Sequence, residues 1–184
     1  MSETRNQHPS TSSATRHRSR RVLCLSLSAL ALLGAVSICF ANRQIVIDTS
    51  PSVAPGLYLR SSAAPAVGQL VEFRIPASVR SYIRCRTGRG GQDWYILKPI
   101  AAGPGDRVET TEGQLRINGR FIAHMPPMRD GFGNLLPRWT ESHVLGSDEF
   151  FVFSDRIPNS FDSRCYGPVK RGEIASVRRP LITW

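Results

Sequence analysis

Apolar positions along this chain fall into two regimes. From Val22 to Ala41 they run together as VLCLSLSALALLGAVSICFA, without a charged residue or a proline. From Gln44 onward they come in short bursts punctuated by Gly and Pro. Twenty helical residues at 1.5 Å each extend about 30 Å, the thickness of a bilayer's hydrocarbon core. The first regime therefore predicts a transmembrane helix over 22–41. Residues 1–21, rich in Ser, Thr and Arg with nothing to bury, read as a disordered tail. Residues 42–184 read as a single folded domain. A cleaved secretory signal is the alternative for the apolar run, with Cys39-Phe40-Ala41 as a passable cleavage site. Such signals carry apolar cores of only about 7–15 residues, so the length favours a retained anchor.

The second regime predicts strands at Gln69–Ile75, Trp94–Ala101, Arg107–Glu109, Gln114–Ile117, Arg120–Ala123, Glu149–Ser154 and Ile174–Arg178. Val, Ile, Phe and Tyr are frequent there and no stretch sustains a 3.6-residue period. Asn118-Gly119 between two such runs is a strong signal for a two-residue hairpin turn, and Thr111-Glu112-Gly113 marks a turn just upstream. Ser78–Gln92 and Met125–Gly146 read as loops. The fold class is mainly β, an antiparallel sheet domain behind one N-terminal helix.

Composition narrows the function. Among 184 residues, 41% are hydrophobic and 21% charged, ordinary for a globular chain. The formal charge of +10 suggests nucleic acid at first sight. Five arginines (5, 16, 18, 20 and 21) against Glu3 place +4 of it ahead of the apolar run, and the rest is scattered without a basic stripe or a DNA-binding motif. Nucleic acid is therefore excluded as a partner. The same arginine cluster orients the N-terminus toward the cytoplasm, with the bulk of the chain beyond the membrane. Cys24 and Cys39 lie in the apolar run and act as small hydrophobes. Cys85 and Cys165 fall in the exported part, where an oxidising compartment permits a disulfide between them. Neither sits at a spacing that would hold a metal, and no cofactor is implied.

Four phrases carry candidate chemistry. Ser50-Pro51-Ser52-Val53-Ala54-Pro55 follows the apolar run closely. Val67-Gly68-Gln69-Leu70-Val71-Glu72-Phe73 comes next. Lys98-Pro99-Ile100-Ala101-Ala102-Gly103-Pro104-Gly105-Asp106 precedes Asn118-Gly119. Ser154-Asp155-Arg156 leads into Asn159-Ser160-Phe161-Asp162-Ser163-Arg164. In that order, behind an apolar anchor, they resemble the bacterial type I signal peptidases, which are Ser/Lys proteases. The short length and Gly56-Leu57-Tyr58 after the serine are similar to its conjugative-transfer, TraF-like branch. Gln69, Pro99, the shifted Gly103 and Ser154-Asp155-Arg156 depart from the family pattern without removing a catalytic group.

The resemblance implies Ser52 as nucleophile and Lys98 as its base. It implies that Ser50 lends a hydroxyl to the oxyanion hole beside the Ser52 N–H. Ser160 would orient Lys98, with Asp162 and Arg164 in support, and Gly103, Gly105 and Asp106 would form a structural turn. The physics agrees with this assignment. Serine needs an adjacent base, and a lysine becomes one when burial disfavours its charged form. Trp94 to Leu97 and Ile100 to Ala102 offer the apolar wall, with Ile96, Lys98 and Ile100 on one face of a strand. Taken singly, Lys98 reads equally as an exposed strand lysine, Ser50-Pro51-Ser52 as a polar turn, and Asp162–Arg164 as a structural ion pair. His124 and His143 lack the elbow motif and acid of a Ser-His site.

The resulting expectation is a serine endopeptidase in the bacterial inner membrane, with its N-terminus in the cytoplasm and its catalytic domain in the periplasm. It would touch membrane lipid and process an exported precursor, a conjugative propilin in the TraF-like branch. Whether water or the substrate's own amine, in a cyclising step, releases the acyl-enzyme stays open. A housekeeping-like signal peptidase, an inactive anchored assembly factor and a secreted β-domain binder are the rival readings.

Overall fold

The structure of the protein, a computed structural model, describes residues 12–87 and 94–184. They divide into a helical unit ending at Gln44 and a β unit from Ile45 to Trp184. The helical unit is α1 (Ser12–Ala41). It begins well ahead of Val22, so the segment 12–21 of the expected disordered tail is helical, while residues 1–11 lie outside the described residues. An established helix extends cheaply, because each added residue contributes a hydrogen bond, and Ala and Arg are good helix formers. Among the described residues no helix is long and apolar enough to cross a membrane. The spanning role of 22–41 thus rests on its sequence pattern.

The β unit contains β1 (Ile45–Asp48), β2 (Gly56–Ser61), β3 (Leu70–Arg74), α2 (Arg80–Thr87), β4 (Tyr95–Ala102), β5 (Arg107–Glu109), β6 (Gln114–Ile117), β7 (Arg120–His124), β8 (Ser142–Val144), β9 (Glu149–Val152), α3 (Ser163–Tyr166), β10 (Val169–Lys170) and β11 (Ile174–Thr183). One sheet runs β1-β2-β11-β3-β4-β9-β10 and the other β7-β6-β5-β8. Every pairing is antiparallel. All seven predicted strands are present, and β11 runs five residues past its predicted end at Arg178. Asn118 and Gly119 both have positive φ (52° and 78°), the geometry of a type I′ hairpin turn between β6 and β7.

Four strands were not foreseen (β1, β2, β8 and β10), and Ser78–Gln92 contains α2 in place of a loop; residues 88–93 of that stretch lie outside the described residues. Helix α2 spans only eight residues, RSYIRCRT, too few and too polar for a period to show. Its Ile83 is nevertheless buried in the principal core with Val71, Phe73, Ile100 and Val152. A second cluster under the smaller sheet centres on Val108, Leu115 and Phe151. A third joins Val53, Tyr58 and Leu97.

β4 connects these clusters to the site. Ile100 belongs to the principal core and Ile96 packs against it, while Leu97 points into the third cluster. The strand alternation expected through Lys98 therefore holds, and the lysine leaves β4 on the apolar face between Ile96 and Ile100. Register with β3 sets Lys98 opposite Val71. Pro99 does not disturb this ladder. Its carbonyl accepts the Phe153 N–H at 3.1 Å and so faces β9, which pairs with β4 only at Ile100 and Ala102. The missing proline N–H costs β3 nothing.

Candidate active site

Ser52 sits in the turn between β1 and β2 and is buried. Asp48, at the end of β1, accepts the Ser50 N–H on Oδ1 at 2.7 Å. An aspartate bonding to the backbone two residues on makes a local turn, and this one brings the Ser50 hydroxyl within 3.2 Å of the Ser52 hydroxyl. The Ser154 hydroxyl, at the end of the β9 segment, donates to the Ser52 carbonyl, and Arg156 Nε donates to the Pro51 carbonyl at 3.4 Å. Residues more than a hundred positions apart thus fix the serine's peptide.

Lys98 is 3% exposed. Its Nζ donates to Ser160 Oγ at 3.0 Å. Burial lowers its pKa from the ordinary 10.5 to about 8, against the opposing pull of Asp162, Asp48 and Cys165; Arg164 lowers it further. A substantial fraction of the amine is therefore unprotonated a little above neutrality, as a general base requires. Ser52, Ser50 and Lys98 line one cavity of about 520 Å³, with Asp48 at its edge and Ile83, Leu136 and Phe161 among its apolar walls.

Behind the lysine lies a buried ion pair. Arg164 Nε and Nη2 meet Asp162 Oδ1 and Oδ2 at 2.9 and 2.8 Å, and the guanidinium packs over the Phe153 ring. Arg164 also donates to the His124 and Ser160 carbonyls (2.8 and 3.5 Å). Asp162 caps α3 by accepting the Arg164 N–H, and its other oxygen takes the Ser154 N–H at 3.4 Å. The pair thereby fixes both the loop that carries Ser160 and the residue that holds Ser52.

The structure therefore brings Ser50, Ser52, Lys98, Ser160, Asp162 and Arg164 into one neighbourhood. Gly103, Gly105 and Asp106 form a turn elsewhere: Asp106 accepts the Gly103 N–H and the Asn118 amide at 2.9 and 2.8 Å, and Gly105 has φ of 88°. Neither His124 nor His143 lines the cavity, and the His143 ring bonds Glu149 at 2.6 Å. The disulfide permitted by the sequence is not formed, since Cys85 and Cys165 are both free. Cys165 is sealed in the core, where burial pushes its thiol up to about 12, while Cys85 is exposed on α2. Asp48 and Ser154 escaped the sequence reading. The Asp-x-Ser spacing before the serine was the available signal for the first, and a hydroxyl ending an apolar strand for the second.

Comparison with known proteins gives the family. The family described as signal peptidase, peptidase S26, matches residues 19–182. The plasmid transfer protein TraF of Escherichia coli is 35% identical over 166 residues, covering 85% of this chain and 91% of that protein. The conjugal transfer protein TraF of Agrobacterium tumefaciens (strain 15955) is 32% identical over 178 residues, 91% of this chain and 98% of its own length. Signal peptidase I V of Bacillus subtilis (strain 168) is 25% identical over 99 residues, 48% of this chain and 58% of that one. The chain belongs to the signal peptidase family of serine-type peptidases, peptidase S26, and has TraF conjugal transfer proteins among its relatives.

Proposed function

We propose that the protein is a membrane-anchored Ser/Lys endopeptidase that cuts an exported precursor, a conjugative propilin, at the periplasmic face of the inner membrane. The observation that carries this reading is the buried Lys98 amine, hydrogen-bonded to Ser160 and lining the same cavity as Ser52. In the first step neutral Lys98 takes the Ser52 hydroxyl proton as Oγ attacks the scissile carbonyl carbon. The oxyanion that forms receives hydrogen bonds from the Ser50 hydroxyl and the Ser52 N–H; one such donor lowers a barrier by about 3–4 kcal/mol. Collapse breaks the C–N bond, and the Lys98 ammonium returns its proton to the departing amine. Water, deprotonated by Lys98, then hydrolyses the Ser52 ester.

The relatives that act in plasmid and conjugal transfer support the propilin. The apolar run 22–41 supports the anchor. Lipid contact is supported by exposed Ile47 and Ile182, which flank Leu57 in register across β1, β2 and β11, with Leu181 and Trp184 beside them. Mass spectrometry of the candidate propilin, co-expressed with wild-type, Ser52→Ala or Lys98→Ala enzyme, tests the reading. Cleavage should disappear with both variants, a loss on the order of 10³-fold or more. Full processing by either would end the proposal.

A further inference from the structure

Ser52 also borders a second cavity. This one, of about 340 Å³, has walls of Val53, Tyr58, Leu70 and Pro99, with exposed Asp155, Arg156, Pro180 and Thr183 around its rim. Ser52 is the lining residue that the two cavities share. The second cavity has a structural origin in β11. Register between β11 and β2 shifts between Pro180 and Ile182, and the strand then returns onto Gly56, where a Cβ would meet the Ile182 carbonyl oxygen at 2.3 Å. Pro180 and Thr183, on either side of that shift, both line the hollow. Ser154, whose hydroxyl donates to the Ser52 carbonyl, lines this hollow and not the first cavity.

We propose that this second cavity receives the side chain of the residue that follows the scissile bond, so that the bound chain passes from one cavity to the other across Ser52. The proposal rests on the acyl-transfer reading above. A serine that attacks a peptide carbonyl must have polypeptide on both sides of it, and the structure has a separate hollow on each. The larger cavity runs beside Ile96 and Leu97, a stretch of β4 that pairs with β3 on one side and, among the described residues, lies short of the β9 pairing at Ile100 and Ala102 on the other. It therefore suits the segment that stays bound as an ester and must be held through deacylation, with backbone pairing along that edge. The smaller hollow opens at Thr183 and suits the segment that must leave. Its apolar walls fit an aliphatic or aromatic side chain on that residue, which gains by leaving water.

Two substrates with the same acyl part separate the two cavities. One is a peptide with leucine after the scissile bond; the other is the methyl ester ending at the scissile carbonyl, whose leaving group enters neither hollow. Full-length Thr183→Trp enzyme should lose about tenfold or more in kcat/KM on the peptide, the scale on which a pocket discriminates one side chain, and stay within about twofold on the ester. The wild-type preference for Leu over Gly at that substrate position should vanish with it. Equal losses on both substrates, or no loss on either, would overturn the proposal. Should the tryptophan variant fold poorly, Thr183→Cys in a Cys85→Ser background, labelled after purification with methyl and then benzyl methanethiosulfonate, adds bulk to a folded protein and must give the same graded, peptide-specific loss. Ester hydrolysis by Ser52→Ala enzyme would instead show that the acyl-transfer reading itself is wrong.

Discussion

Among the described residues two buried carboxylate–arginine pairs occupy this domain, and only one of them belongs to the candidate site. Asp162 and Arg164 are two residues apart and meet through both carboxylate oxygens. Glu72 on β3 and Arg178 on β11 are 106 residues apart; Arg178 Nε and Nη2 both reach Glu72 Oε2, as does the Ser176 hydroxyl. Each pair faces the same electrostatic problem, since two charges removed from water are tolerable only when well paired. Their connections differ. Asp162 takes the N–H of Ser154, which holds Ser52, and Arg164 donates to the carbonyl of Ser160, which holds Lys98. Glu72 and Arg178 tie two neighbouring strands together. Burial and pairing alone do not mark a functional residue; what the pair fixes in place does.

The largest expected effect on stability comes from breaking the two pairs in parallel. Asp162→Asn and Glu72→Gln should each destabilise the fold by about 3–5 kcal/mol, because each strands a buried guanidinium. The folded fraction should tell them apart. Under conditions where both remain native, Asp162→Asn should lose on the order of 10²-fold in kcat through misplacement of Ser160 and Ser154, while Glu72→Gln should stay within about twofold. Urea unfolding combined with kcat measured on the native fraction checks both halves. Equal kcat losses would mean that the Glu72 pair also serves the site.

The same contrast explains what could be read from the sequence. Asp162 and Arg164 stand in one phrase, so their pairing was visible before any fold. Glu72 and Arg178 meet because β11 inserts between β2 and β3, an order of strands that residue patterns do not encode. The hydroxyls and the lysine of the candidate site were legible because four phrases, taken in sequence order, resemble those of the type I signal peptidases. Asp48 was missed along with β1, a four-residue edge strand of mixed burial whose alternation is too short to register. Ser154 was missed because its role depends on a contact 102 residues away. The Cys85–Cys165 bridge failed for a related reason: spacing carries no information on which side of a fold a thiol lies.

Lys98 sharpens the comparison, because it is a buried charge held without a bidentate partner. Its pKa is depressed from 10.5 to about 8, so the unfolded chain takes up a proton as pH falls between those values and the native state does not. Stability is therefore fullest above pH 10.5, is lost as pH drops toward 8, and stays at the reduced level below that. Lys98→Met should abolish cleavage and also stabilise the fold at pH 7 by about 3 kcal/mol, the equivalent of that depression. The gain should shrink toward zero above pH 10.5. Thermal or urea unfolding from pH 6 to 11 measures it. A destabilised methionine variant at pH 7 would show that Lys98 is held in place by interactions stronger than its desolvation.

Ser160→Ala gives the smallest effect and the most specific one. The serine accepts a hydrogen bond from the Lys98 amine at 3.0 Å, and such an acceptor favours the charged form. Asp162 and Asp48 also favour that form, while burial and the neighbouring Arg164 oppose it. Removing the Ser160 hydroxyl tilts the balance further toward the neutral amine. The pH profile of kcat/KM, expected to rise through about 8 in the wild type, should then turn at a lower pH. Its plateau should fall about tenfold, because the amine is no longer aimed at Ser52. Stability should change by only about 1 kcal/mol, the net worth of one hydrogen bond. A merely structural serine would leave the turning point where it was, and a turning point moved to higher pH would mean that the bond holds the free base instead. Either result would separate Ser160 from the Asp162 network and leave the ion pair acting on Ser52 through Ser154 alone.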